Sequence, residues 1–83
     1  MSPVFHRESS YCFKIFSNEE IRMHIHVVRD DLEAKFWLEP KVELAENYGF
    51  KVHELRRIQK IVERYATEFK EQYRQHIGKR IDD

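Results

Sequence analysis

The sequence predicts an α+β domain in which an antiparallel sheet of three to four strands packs on one long C-terminal helix. Three observations lead to this architecture. From Tyr11 to Leu38, apolar residues alternate with polar ones, which is typical of half-buried strands. From Val52 onward, apolar residues recur every three or four positions, which is the period of a helix. The chain has 83 residues, a length that fits one domain.

Alternating apolar residues define the first three predicted strands, and short polar breaks separate them. The breaks are residues 17–20 and 30–31, where serine, asparagine, glutamate and aspartate accumulate. The apolar positions are Tyr11, Phe13 and Ile15, then Ile21, Met23, Ile25 and Val27, then Ala34, Phe36 and Leu38. Three consecutive strands with short connections predict an antiparallel meander.

The pairing of these strands follows from parity, because a slip of one residue moves every side chain to the other face. A two-residue turn at Asp30–Asp31 places all apolar residues of the second hairpin on one side. It pairs Val27 with Ala34, Ile25 with Phe36, Met23 with Leu38, and, on the other face, His26 with Lys35, His24 with Trp37 and Arg22 with Glu39. In the first hairpin, a three-residue loop at 18–20 places Ile15 opposite Met23, Phe13 opposite Ile25 and Tyr11 opposite Val27.

A short fourth strand is predicted after Pro40, which interrupts the third strand. Val42 and Leu44 alternate with Glu43 and Ala45, just before the turn-forming run Asn47-Tyr48-Gly49. A short helix in the same segment is the competing interpretation.

The long helix is predicted from about Val52 to Ile77, with Gly78 as its natural end. Its apolar stripe consists of Leu55, Ile58, Ile61, Val62, Tyr65, Phe69, Tyr73 and Ile77. At about 1.5 Å per residue such a helix is longer than a strand of eight residues. Its C-terminal turns are therefore expected to extend past the sheet.

Composition and charge exclude several classes of protein. Fifteen Lys and Arg residues balance fifteen Asp and Glu residues, so the chain is not built mainly to bind nucleic acid through phosphates. The single cysteine, Cys12, excludes an internal disulfide and fits a reducing cytoplasm. No apolar stretch is long enough to cross a membrane, and no secretion signal is recognisable. We expect one cytoplasmic domain without a cofactor at residues 11–78, a loose N-terminal arm at 1–10 and a frayed tail at 79–83.

One helix covers only one face of a sheet, so the other face is expected to be open. Its three cross-strand rows would be Cys12–His26–Lys35, Lys14–His24–Trp37 and Phe16–Arg22–Glu39. Large aromatic residues on a face that meets only water are unusual, so Phe16 and Trp37 indicate that something packs there. The first hypothesis is therefore a non-catalytic interaction module that binds a protein partner or a second copy of itself. The expected binding surface is Phe16, Arg22, His24, His26, Lys35 and Trp37.

The same face supports an alternative hypothesis, a small RNA-cleaving or RNA-binding protein. Histidines two residues apart on a strand point to the same side, so His24 and His26 could act as acid and base. Arg22 or Lys35 would hold the phosphate, and Trp37 would offer a surface on which a base stacks. Exposed strand faces also carry such residues merely to stay hydrated, and that is the third interpretation.

Cys12, His24 and His26 are weak candidates for metal ligands. The cations Lys14 and Lys35 on the same face would repel a metal ion. We therefore expect no metal.

A basic helix patch lies on the predicted helix and consists of Arg56, Arg57, Lys60 and Arg64. Arg56, Lys60 and Arg64 align at steps of four residues, so they share one side of the helix. A solvated helix face is the first interpretation, and an acidic or nucleic-acid partner is the second.

The segment Arg22-Met23-His24-Ile25-His26-Val27, followed by Glu33-Ala34-Lys35-Phe36-Trp37-Leu38-Glu39-Pro40, resembles the domain-of-unknown-function family forty-one-sixty. Its members are short bacterial and archaeal proteins with a His-x-His-Val strand after a small polar turn, then a strand with a buried alanine, then a C-terminal helix. The resemblance covers about Tyr11 to Ile77. Many members have proline before the histidine pair, where this chain has Arg22-Met23, so it would belong to a divergent subgroup.

The resemblance implies no activity. Members often sit beside another small protein, which implies a toxin–antitoxin-like or regulatory pair. By resemblance, His24 and His26 are the positions most worth testing, although the family does not supply their role.

Overall fold

A computed structural model describes residues 4–16 and 22–82, with side chains as far as His76. Five strands are followed by two helices. The strands are β1 (Val4–Glu8), β2 (Tyr11–Lys14), β3 (His24–Arg29), β4 (Leu32–Trp37) and β5 (Glu43–Tyr48), and the helices are α1 (Val52–Arg64) and α2 (Ala66–Asp82). The α+β class is confirmed, with five strands and two helices in place of the predicted three to four strands and one helix.

The strands form one antiparallel sheet in the order β1-β2-β3-β4-β5, so each strand pairs with its neighbour in sequence. The pairing of β3 with β4 is the predicted one, with Ile25 opposite Phe36 and His26 opposite Lys35. The turn between them is also confirmed at Asp30–Asp31. Asp30 has a φ of 56°, a left-handed conformation that aspartate tolerates better than most residues.

The pairing of β2 with β3 differs from the prediction by two residues. Phe13 lies opposite Val27, where the sequence predicts Ile25, and Lys14 lies opposite His26. A shift of two keeps each side chain on its predicted face, because side chains alternate with a period of two. The loop predicted at residues 18–20 lies outside the described residues.

The loose arm predicted at residues 1–10 is corrected by the structure, because residues 4–8 form β1 and pair with β2. Two features hide this strand from the sequence pattern. An irregularity between Val4 and His6 interrupts the alternation. Ser9 and Ser10 make the turn to β2 with φ values of 51° and 70°, where asparagine and glycine are the usual residues.

The predicted fourth strand corresponds to β5, which continues to Tyr48 and excludes the competing short helix. The strand ends before Gly49, whose φ of 108° is a conformation that side chains disfavour. A Cβ atom at this glycine would lie only 2.5 Å from Cδ2 of Leu32. The Asn47 side chain then closes the turn, since it accepts from the Phe50 N–H at 3.1 Å and donates to the Phe50 carbonyl at 3.0 Å.

The helical region contains two helices where the sequence predicts one. α1 begins after Lys51, whose side chain makes no capping hydrogen bond. Its end is marked by Tyr65, whose φ of −106° and ψ of 11° depart from helical values. α2 then runs from Ala66 to Asp82, so Gly78 does not end the helix and residues 79–82 continue it.

Both helices pack on one face of the sheet, the core face. Its buried residues are Tyr11, Phe13, Ile15, Ile25, Val27, Ala34, Phe36 and Leu38 from the strands and adjoining residues, with Phe50, Ile58, Ile61, Val62, Phe69 and Tyr73 from the helical half. We call the opposite face the second face. Among the described residues, the helical members of the core cluster pack on the core face, and Tyr73 of α2 also contacts His24 at one corner of the second face.

An ion pair fixes the start of α1 to the end of β3. The Arg29 guanidinium donates to the carboxylate of Glu54, and the Tyr11 hydroxyl donates to the same carboxylate oxygen at 3.3 Å. Partial burial acts to raise the pKa of Glu54, but the hydrogen bond and charge of Arg29 outweigh it. The pKa of Glu54 is therefore held below its ordinary value of 4.5.

Glu54→Gln is expected to lower stability near pH 7 and to weaken its dependence on acid pH. A carboxyl group with a lowered folded-state pKa stabilises folding above its unfolded-state pKa, and the contribution is lost as the pH falls through the folded-state value. Wild type and variant should therefore differ at pH 7 and converge below the ordinary value of 4.5. Urea unfolding at both ends of this range measures the difference, with the exposed Glu71→Gln as control. A difference that persists undiminished in acid would contradict the expectation.

Candidate functional site on the second face

The second face is built by the side chains that alternate with the core residues. Because Ile25 and Val27 point into the core, His24 and His26 point to the opposite side of β3. The strand pairing then produces two rows across the sheet, Lys14–His26–Lys35–Glu46 and His24–Trp37–Glu43. Residues far apart in sequence are therefore neighbours on one surface.

His24 is fully buried at the start of β3, with 0% of its surface exposed. Its Nδ1 lies 2.7 Å from the Arg22 carbonyl oxygen, which can only accept, so Nδ1 carries the donated proton. The ring stands nearly perpendicular to Trp37 with centroids 5.9 Å apart, and it lies 5.5 Å from the ring of Tyr73. The Tyr73 hydroxyl also donates to the Arg22 carbonyl, at 3.4 Å. α2 therefore covers this corner of the sheet.

His26 lies two residues further along β3 and is 7% exposed. Its Nδ1 is 3.1 Å from a carboxylate oxygen of Glu33 on β4, so this nitrogen donates to the carboxylate. Phe16 packs on its ring at 4.4 Å, and the ring of His24 lies 5.3 Å away at an angle of 86°. Each imidazole is therefore held in one orientation by its own acceptor.

Trp37 lies half-buried on the second face with two cations against its ring. The guanidinium carbon of Arg22 is 4.0 Å from a ring centre, and the ammonium nitrogen of Lys35 is 4.6 Å away. Both distances are within the range of cation–π attraction. The Nε and Nη2 atoms of Arg22 also donate to the Glu39 carbonyl, at 3.2 and 3.1 Å. In this Trp37 stack, formed by Arg22, Lys35 and Trp37, hydrogen bonds to Glu39 therefore hold Arg22 against the ring.

The structure places the six predicted binding residues on one face, but they do not form a uniformly open row. His24, His26 and Lys35 are buried, whereas Arg22 is exposed and Phe16 and Trp37 are half-buried. Solvent therefore reaches the aromatic rings and Arg22, while the two histidines lie beneath them. A buried imidazole is suited to supporting its neighbours more than to meeting a substrate.

The three weak metal candidates are not brought together. Cys12 lies opposite Val28 and not opposite His26, because β2 pairs two residues further along than predicted. Within residues 4–16 and 22–76, no three His, Cys, Asp or Glu side chains form a group that could hold a metal ion.

The basic helix patch is a separate surface. Its four residues are exposed on α1, whose buried residues Ile58, Ile61 and Val62 pack on the core face. Arg64 lies 3.5 Å from Glu8 on β1, so one of the four cations has an acidic neighbour. The two sites predicted from the sequence therefore lie on different sides of the molecule.

Two residues of the site were missed by the sequence reasoning. Glu33, which orients His26, could have been found, because it lies two residues before Lys35 and shares its face. Tyr73 falls within the predicted core stripe, and no sequence signal shows that α2 reaches His24.

The fold and site define a small α+β domain with two helices on one face of a five-stranded antiparallel meander and a histidine pair on the other. The family Domain of unknown function (DUF4160) matches residues 10–74, which include the histidine pair and Trp37. The chain therefore belongs to this family, as the resemblance of its double-histidine strand predicts. No curated protein and no solved structure matches the chain. None of the described helices is long and apolar enough to span a membrane.

Proposed function

We propose that this chain is a non-catalytic protein-interaction module, and that a partner protein binds its second face around Trp37. The observation that carries the proposal is the Trp37 stack, a half-buried indole with Arg22 and Lys35 against its ring on the face opposite the core. The partner would be the other member of a regulatory or toxin–antitoxin-like pair. The resemblance, whose members often sit beside another small protein, supports that part of the proposal.

The composition of the Trp37 stack fits the centre of a protein interface. Tryptophan and arginine are the residues that most often contribute large shares of binding free energy, especially where neighbouring groups exclude water. Here Arg22 is already oriented by the Glu39 carbonyl, and Trp37 rests against the buried ring of His24. Because contacts within the chain already hold these side chains, a partner would lose less free energy by immobilising them.

The RNA-cleaving alternative has one observation in its favour, which is the convergence of two histidines with Arg22 and Lys35. A general acid or base must lie within hydrogen-bond reach of the proton that it transfers. With 0% and 7% of their surfaces exposed, His24 and His26 could meet a phosphodiester only if the covering side chains moved. The interaction hypothesis needs no such movement and therefore has more support.

Trp37→Ala and Arg22→Ala are each expected to weaken partner binding at least tenfold, since truncation of such central residues typically costs about 2 kcal/mol or more. The partner to test is the product of the adjacent gene, co-expressed with this chain and separated by size-exclusion chromatography. Calorimetric titration of the purified pair then gives the affinities. Arg57→Ala, an exposed arginine on α1, is the matched control and should bind like the wild type.

The proposal fails if neither the adjacent gene product nor a second copy of this chain binds, or if Trp37→Ala binds like the wild type. Analytical ultracentrifugation of the chain alone shows whether a second copy binds. Cleavage of a mixed RNA substrate that disappears in the variant with both His24→Ala and His26→Ala would favour the alternative, provided that circular dichroism shows the variant to be folded.

A further inference from the structure

β5 is the most exposed strand of the sheet. It lies at the end of the strand order, and within the described residues it pairs with β4 alone. Five of its six residues are exposed, whereas four of the six in β3 are buried. Leu44 and Tyr48 expose 39% and 60% of their surfaces, Leu44 on the core side opposite Phe36 and Tyr48 on the second face opposite Glu33.

An edge strand of this kind offers one free row of backbone N–H and C=O groups. Such a row can pair with an extended segment of another chain, and proteins often protect it with charges or bulges. β5 has the exposed charges of Glu43 and Glu46 and a pairing irregularity opposite Lys35 and Phe36, so a like-charged strand is disfavoured and a basic one is not. Peptide recognition by strand addition relies on it: the backbone supplies the hydrogen bonds, and alternate side chains supply the specificity. The side chains along β5 therefore indicate what sequence pattern an added strand would need.

The two sides of β5 differ in chemistry. On the second face, Glu43 and Glu46 are exposed and lie opposite Trp37 and Lys35 of β4. On the core side, Leu44 opens into a groove of about 450 Å³ between β5 and α1. The groove is lined by Lys41, Val42, Glu43, Leu44, Gln59 and Glu63.

We infer that β5 accepts a strand of the partner protein, and that this strand alternates basic and apolar residues. The pairing irregularity places Glu43, Leu44 and Glu46 opposite three successive residues of β4, so an alternating strand on the other edge of β5 can match the same three positions. Its basic side chains would face Glu43 and Glu46, and the apolar ones would enter the groove beside Val42 and Leu44. This inference rests on the proposed function and adds where and how the partner docks. Because Glu43 lies opposite Trp37, a partner strand on β5 adjoins the Trp37 stack, and one protein could contact both.

A second copy of the chain fits this edge less well. When two copies of β5 pair antiparallel through their centres, the two Glu46 side chains lie opposite or next to each other on the second face. Glu43 of each copy adds two further carboxylates to that short ladder. Like charges at such positions destabilise strand pairing, so a basic strand is the better occupant.

The test uses a synthetic peptide of about eight residues, with blocked ends, that alternates lysine and valine. We expect it to bind the full chain and to bind the double variant Glu43→Lys/Glu46→Lys at least tenfold more weakly. Its affinity should also fall with rising salt, since exposed charges are screened. The matched control is Glu68→Lys/Glu71→Lys, which makes the same change of charge at two exposed positions of α2. Fluorescence anisotropy of the labelled peptide measures its affinity for the wild type and for the two double variants.

Backbone pairing is tested by a peptide with the same sequence and methyl groups on alternate backbone nitrogens, which should not bind. The inference is overturned if the alternating peptide does not bind, if it binds both double variants equally, or if the methylated peptide binds as well. It is also overturned if the chain dimerises and the dimer is lost in Glu43→Lys/Glu46→Lys, because the occupant is then a second copy.

Docking at β5 and binding around Trp37 can fail independently, and the experiments separate the two. If the peptide does not bind β5 while the protein partner still requires Trp37, strand addition is wrong and the interaction surface remains. If the partner requires Glu43 and Glu46 but tolerates Trp37→Ala, docking at β5 stands and the site around Trp37 is wrong.

Discussion

Phe69→Ala is expected to destabilise the protein by about 3–5 kcal/mol, the typical cost of deleting a buried phenylalanine side chain. Phe69 is 1% exposed and anchors α2 to the sheet. Its ring stacks on Phe13 at 5.8 Å and contacts Phe5, His6 and Tyr65 at 6.1 to 6.3 Å. A domain of this length has a total stability of about 4–12 kcal/mol, so the variant would lose much of it.

Urea unfolding followed by circular dichroism measures this loss. Thr67→Ala, at an exposed position two residues earlier in α2, is the control for changes in helix propensity and should alter stability by less than about 0.5 kcal/mol. Phe69→Leu should lie between the two, because it keeps most of the buried volume. A loss below about 1.5 kcal/mol for Phe69→Ala would show that α2 does not depend on this contact.

His24→Ala is expected to cost about 2–4 kcal/mol of stability, because it removes a fully buried ring and leaves a cavity. The ring fills the space between Trp37, His26 and Tyr73, and its Nδ1 donates to the Arg22 carbonyl. His24→Phe keeps an aromatic ring, although a larger one, and gives up the hydrogen bond, so it should lose less than His24→Ala, about 1–2 kcal/mol. The difference in stability between these two variants separates the contribution of ring packing from that of the hydrogen bond.

The control for this prediction is His53→Ala, which removes an exposed imidazole on α1 and should change stability by less than about 0.5 kcal/mol. Thermal and urea unfolding of the three variants give the comparison. If His24→Ala were as stable as the wild type, the ring would not support Trp37 and Tyr73. The accessible histidine pair needed for acid–base chemistry would then regain support.

The sequence predicts the central hairpin well, and the reason is physical. In β3 and β4 apolar residues occupy alternate positions, so the strand period places Ile25, Val27, Ala34 and Phe36 on a common face. The short turn at Asp30–Asp31 leaves no freedom to slide. For β2 the same argument determines which side chains face the core but not the exact pairing with β3. A longer connection moves this strand by two residues without exposing its core side chains.

Other features could not be read from the sequence because they depend on backbone conformation or on packing between distant elements. Positive φ values at two serines make the β1–β2 turn without the usual residues. The departure from helical geometry at Tyr65 leaves the apolar stripe unbroken, so periodicity alone predicts one helix. The burial of His24 depends on where α2 crosses the sheet, which no local pattern in β3 encodes.

The order of strands in the sheet also bears on how the protein folds. Every strand pairs with the strand next to it in the chain, so the whole sheet can form by four successive hairpins. None of these steps has to bring together distant parts of the chain, and the entropy lost in loop closure is small for each. The largest loop closure involves the helices, because Phe69 in α2 contacts Phe13 near the start of the chain. The contacts of α2 are therefore less local than those of the sheet and carry the larger loss of loop-closure entropy.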